Sequence, residues 1–255
     1  MPCAVFVSPA EAFAKALAGN PKVLAVGETH AQKDVENVPS ATKRFTDTLL
    51  PAVGGKASDV VIELWVGNPA CAKKVEKVAK QQKDVTATQA PTNQNEFMVL
   101  GDVAKKLGVM PHALVPGCEE YERILDAGGG DVDAMLSMIA RLTARDVGAL
   151  LDRNDARVLD GGPERMIVAY GGAMHNDAAP RPGHEAWSFG PALLAKTGGR
   201  YVELDLIVPE LVKDTEAWRA QPWYPHYRAA AHGGETLLFT TGPSSFALVF
   251  PKTAP

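Results

Sequence analysis

The sequence predicts an α/β fold: a mainly parallel central sheet with helices on both faces and a C-terminal antiparallel hairpin at its edge. Three observations point there. Short apolar runs alternate with amphipathic stretches along most of the 255 residues, the pattern of βαβ units. The run Val60-Val61-Ile62 is apolar on both strand faces, as a strand covered by helices on either side must be. Near the C-terminus, two apolar runs flank Gly242-Pro243-Ser244-Ser245, a hairpin signal.

The elements follow in order. Ser8-Pro9-Ala10-Glu11 reads as a helix start with Pro at the first turn, and Gly19 as its stop. Lys22 to Val26 is a strand running into Gly27-Glu28-Thr29-His30. A helix is expected over Ser40 to Val53, with Phe45, Leu49 and Val53 on one face. Asp59 to Val66 is the second strand, and residues 69–81 and 95–107 read as helices. Met110 to Val115 is a third strand, stopped by Pro116-Gly117. After Gly128-Gly129-Gly130, a long helix runs from Asp131 to about Leu159. Arg165 to Tyr170 enters Gly171-Gly172-Ala173-Met174-His175, Tyr201 to Val208 is a fifth strand, and Thr236–Thr241 with Phe246–Phe250 form the hairpin around a four-residue loop. No linker or repeat divides the chain, so a single domain is expected, with a motif-bearing core over 22–208 and a hairpin over 236–250.

Composition narrows the function. A net charge of −4 offers no basic face for nucleic acid. Apolar runs reach about seven residues, against the ~20 needed to span a bilayer, so no membrane span is expected. The N-terminus carries no signal-peptide pattern; cytoplasmic is the default, and an exported chain stripped of its leader would read the same. Cys3, Cys71 and Cys118 show no pairing pattern, and neither a zinc ribbon nor a disulfide framework is expected. The GxSxG elbow, the GxxxxGK[ST] phosphate loop, GxGxxG after a strand and HExxH are all absent.

Ligands of open α/β sheets sit outside the carboxyl ends of the strands. There this chain places Glu28 and His30 after the first strand, Glu63 late in the second, and His175 with Asn176 and Asp177 after the fourth. Both histidines are spelled Gly-x-x-His, and glycine lets backbone approach closely and permits positive φ. A carboxylate buried at Glu63 needs a cation, metal or donor beside it. On the long helix, Asn154 shares the apolar stripe of Val147, Leu150 and Val158, and Arg153 borders it; such an arginine pairs with a carboxylate or reaches into a cleft. His184 reads as surface, His226 as packing, and His112 and His232 carry no partner pattern. Trp187, Trp218, Trp223, Tyr224 and Tyr227 read as packing under loops, with a pocket wall as the alternative. Cys118, next to Glu119 and Glu120, is a poor nucleophile, since neighbouring carboxylates raise a thiol's pKa.

In order and spacing, Gly27-Glu28-Thr29-His30, Glu63, Arg153-Asn154 and Gly172-Ala173-Met174-His175 resemble the superfamily of erythromycin esterase-like, ChaN-like haem-binding and TraB/Tiki proteins. The resemblance implies an α/β fold with its site at the strand ends. Its members differ in chemistry: lactone cleavage, metal-dependent proteolysis or haem binding. The corresponding expectation is a hydrolase of an ester or peptide bond. His30, Glu63 and His175 would bind a divalent ion (Mn, Co or Zn) or hold a water, Glu28 would act as general base, Arg153 would stabilise the oxyanion, and Asn154 beside it counts among the catalytic residues. The alternative is haem or another small ligand held without turnover, with His30 or His175 as axial ligand. After His30 the chain lacks the further histidine of ChaN-like proteins, which weakens the haem expectation. Substrate and oligomeric state stay open.

Overall fold

The computed structural model describes all residues except 34, 36, 129–130, 230–232 and 254–255. Its strands are β1 (Cys3–Phe6), β2 (Val23–Glu28), β3 (Ala57–Trp65), β4 (Met110–Leu114), β5 (Met166–Gly172), β6 (Tyr201–Ile207), β7 (Thr236–Gly242) and β8 (Ser245–Val249). They form one sheet in the order β1-β7-β8-β6-β2-β5-β3-β4. From β8 to β4 every neighbouring pair is parallel, while β1–β7 and β7–β8 are antiparallel. Because β2, β3, β5 and β6 point the same way, Glu28, Glu63, Gly172 and the end of β6 share one rim.

The helices are α1 (Pro9–Ala16), α2 (Ala41–Arg44), α3 (Ala72–Val85), α4 (Asn93–Lys106), α5 (Cys118–Ala127), α6 (Val132–Leu159), α7 (Gly190–Lys196), α8 (Glu216–Arg219) and α9 (Tyr224–Ala229). They cover both sheet faces, and the strands show why their sequences read as continuous apolar runs. On one face Leu24, Val26, Val60, Ile62, Val168 and Tyr170 meet Phe13, Phe45, Leu49 and Leu100. On the other, Val23, Ala25, Val61, Ile167 and Ala169 meet Ile124, Met138, Val147, Leu150 and Leu193. Successive residues point to opposite faces, so both parities must be apolar. Among the described residues, no helix is long and apolar enough to cross a membrane.

Several elements depart from expectation. The hairpin lies near the sheet's edge, but β1 forms the outermost strand beyond β7. β1 is only four residues long, three of them exposed, and so carries no periodicity to read. The hairpin loop is tighter than expected, since Gly242 pairs with Ser245. The helix expected over Ser40–Val53 starts under a Ser40 cap, widens to a π turn at Phe45–Leu49 and tightens to 3-10 geometry at Leu50–Val53. Pro51, which has no N–H to donate, sits in that last turn. Helix α5 occupies a stretch left unassigned after Pro116-Gly117. Cys71 and Cys118 form a disulfide across 47 positions, which overturns the expectation of no disulfide and removes Cys118 as a thiol.

Candidate active site at the carboxyl rim

Where β2 ends, strand alternation turns Glu28 toward α2, and the carboxylate is 3% exposed. Its Oε1 lies 2.6 Å from His30 Nδ1, and its Oε2 accepts a hydrogen bond from Thr42 Oγ1 at 3.1 Å. Both oxygens are engaged, and the residue also lines the cavity described below. These contacts let Glu28 position and charge His30. Burial disfavours the His30 imidazolium, but the hydrogen bond and charge of Glu28, helped by Glu63, outweigh it and raise the pKa to about 9. At neutral pH His30 is a cation whose Nε2–H is free to donate.

Glu63 and His175 complete the group. Gly172 N–H donates to Glu63 Oε2 at 2.7 Å. His175 is 3% exposed, and its Nδ1 faces the Trp187 carbonyl at 2.8 Å. A carbonyl only accepts, so Nδ1 carries a proton, and in the neutral ring the lone pair then lies on Nε2. That Nε2 lies 3.7 Å from Glu63 Oε1. A β-carbon placed on Gly172 would stand 3.4 Å from His30 Nε2, 3.6 Å from Glu63 Oε2 and 3.7 Å from His175 Cδ2. The three side chains, drawn from three strands, therefore surround one point.

Gly27 of the first Gly-x-x-His turn and Gly171, just before the second, make room for this. A β-carbon on Gly27 would lie 2.7 Å from the Ala173 backbone and 2.6 Å from Asp205 Oδ1, and one on Gly171 would run into the Glu63 side chain. None of Gly27, Gly171 and Gly172 has positive φ, so the expected conformational role gives way to close approach at Gly27 and Gly171, while Gly172 has ordinary room for a β-carbon.

The group opens into a cavity of about 1550 Å³, walled by Trp65, Phe97, Met135, Ile139, Trp218 and Trp223 among others. Of the late aromatics, Trp218 and Trp223 line the cavity while Trp187, Tyr224 and Tyr227 do not; Trp223 does both jobs, 1% exposed in a core cluster and still bordering the cavity. His184, expected at the surface, also lines it, stacked on Trp187 with ring centroids 4.0 Å apart. Arg181 lines it too, in a loop without periodicity, and only its nearness to His184 could have flagged it. Along the wall, burial and the charge of Glu203 hold the Asp205 carboxyl well above its ordinary range.

Other candidates fall elsewhere. Asn154 is buried at the opposite, amino-terminal end of the strands, where its Nδ2 donates to Ser58 Oγ and to the Arg165 carbonyl, each at 3.1 Å. Arg153 beside it is exposed. Fifteen residues separate Asn154 from the cavity-lining Ile139, about 22 Å along a helix, so Arg153-Asn154 does not join the site. His112 pairs with Asp59 at 2.7 Å, His226 is exposed rather than packed, and His232 lies outside the described residues. His30, Glu63 and His175 offer the nitrogen and oxygen donors that zinc, manganese or cobalt take. Yet among the described residues no three His, Cys, Asp or Glu side chains are gathered to hold a metal ion, so the donor set as arranged does not fit one.

No family model matches the chain, and no curated protein matches it. Among solved structures, it is similar to the type III effector HopBA1 with a TM-score of 0.42 and 11% identity, over 92% of this chain and 90% of that one.

Proposed function

We propose that the protein is a hydrolase that cleaves an ester or peptide bond with water activated by His175 and Glu63. One observation carries this: with His175 in its neutral form, His175 Nε2 and Glu63 Oε1 are two acceptors 3.7 Å apart, too far for a bond to each other, and His30 Nε2 stands beside the same two side chains around Gly172. A water there can donate to both acceptors. His175 Nε2 takes one water proton as the oxygen attacks the carbonyl carbon, and the charge that develops on the carbonyl oxygen is met by His30 Nε2–H. On collapse, His175 returns the proton to the leaving oxygen or nitrogen. Glu28 keeps His30 charged throughout. The resemblance to esterase-like and Tiki proteins favours the same reaction class, and no step here passes through a metal.

The test is turnover of p-nitrophenyl esters and a quenched fluorescent peptide mixture. His175→Ala is expected to lower kcat/KM about 10²–10⁴-fold, and Glu63→Gln to lower it too, with folding retained by circular dichroism. Wild-type activity is expected to survive chelation. Activity that returns only on adding Zn, Mn or Co would replace this route with a metal-bound one. A Soret band on adding haem, lost in His30→Ala and without any turnover, would replace it with ligand binding.

A further inference from the structure

At the amino-terminal end of the strands, where β3 and β4 begin, a cleft of about 300 Å³ is lined by Ser58, Lys105, Gly108, Arg157 and Arg165. It is independent of the proposed hydrolytic site: Arg157 lies eighteen residues beyond Ile139 on α6, about 27 Å along the helix. Asn154, which the sequence placed among the catalytic candidates, holds this cleft together. Its Oδ1 accepts from Arg157 at 2.6 Å, and its Nδ2 donates to Ser58 and to the Arg165 carbonyl.

Three cations thus face one small space. Among the described residues none of Lys105, Arg157 and Arg165 forms an ion pair. Asp59, the carboxylate that also lines the cleft, is turned to His112 Nε2 at 2.7 Å. Basic residues in the last turns of α4 and α6 suit the helix dipoles, which accounts for Lys105 and for the presence of Arg157. It does not account for Arg157 Nε, which is buried without any acceptor. A buried donor left unpaired is costly and marks a place where a water or ion completes the structure. Arg157 Nη2 is held by Asn154 Oδ1 and the Pro163 carbonyl; its remaining N–H groups, a second arginine, an ammonium group and a hydroxyl are the donors an oxyanion takes.

We propose that this cleft binds a small oxyanion, a phosphate group in particular, either as the free ion or at the end of a phosphomonoester. The test is the thermal midpoint of the full chain in inorganic phosphate, and separately in phenyl phosphate, against sodium chloride at matched ionic strength. At ten times Kd the midpoint is expected to rise by about 3 °C in the wild type, and not at all in the double variant Lys105→Ala, Arg165→Ala. An equal rise in phenyl phosphate identifies a phosphomonoester ligand, and a rise in inorganic phosphate alone identifies the free ion. No rise beyond that in chloride, or the same rise in the double variant, overturns the proposal. Should the double variant not fold, Lys105→Gln, at an exposed position, decides by calorimetry: a phosphate Kd at least threefold weaker supports the site, and an unchanged Kd overturns it.

Discussion

His30 Nδ1 stands 2.6 Å from Glu28 Oε1, and the other oxygen of that carboxylate takes a hydrogen bond from Thr42. The ring is thereby oriented with Nε2 toward the cavity and kept charged, its pKa raised from 6.5 to about 9. A folded-state pKa above the unfolded one stabilises the fold fully below pH 6.5, and the contribution is lost as pH rises through about 9. Stability is therefore expected to decline across that window, by no more than about 3 kcal/mol. In Glu28→Gln the decline flattens, and an NMR titration of His30 returns toward the ordinary histidine range. A His30 resonance that titrates near 6.5 in the wild type would disprove the coupling.

The steric role of Gly27 and Gly171 leads to a stability prediction. An added methyl at either position meets atoms fixed by the sheet or by Glu63, and each Gly→Ala change is expected to cost about 1–3 kcal/mol in urea denaturation. Gly19→Ala, with nothing within 4 Å of the added carbon, is the control and should lie within about 0.5 kcal/mol of wild type.

Arg153 and Asn154, adjacent in sequence, should behave oppositely. Arg153→Ala, on the exposed surface, is expected to change stability by less than about 0.5 kcal/mol and to leave hydrolysis unchanged. Asn154→Ala removes bonds to Ser58, Arg157 and the Arg165 carbonyl from a buried position, and should cost about 1–3 kcal/mol with kcat/KM intact below the melting transition. A fall in kcat/KM for Arg153→Ala would place it back in the chemistry.

The Cys71–Cys118 bond closes a loop of 47 residues' separation, worth about 4 kcal/mol by the chain-entropy relation. Thiol titration of the denatured, unreduced protein should therefore count one thiol, Cys3, and reduction should lower the denaturation midpoint. Three reactive thiols would show the bond to be absent. Such bonds persist in oxidising compartments, which bears on the cytoplasmic default.

The strands that build the rim, and the residues they carry, follow from local sequence pattern. Runs such as Val60-Val61-Ile62, apolar at both parities, have no stable place except between two helical layers, and a strand's carboxyl end is where its Glu or Gly-x-x-His must emerge. Hence Glu28, His30, Glu63 and His175 were legible together. Tertiary structure alone decided which partner each one meets. Helical periodicity locates the face of Asn154 but not its end of the sheet, and a helix of 28 residues is about 42 Å long, long enough for its two halves to serve opposite ends of the strands. Likewise, nothing in the spacing of Cys71 and Cys118, or of Glu28 and Thr42, shows that they touch. Those contacts form only when separate crossovers dock on the same sheet, because docking depends on packing across the whole layer and not on any local run of residues.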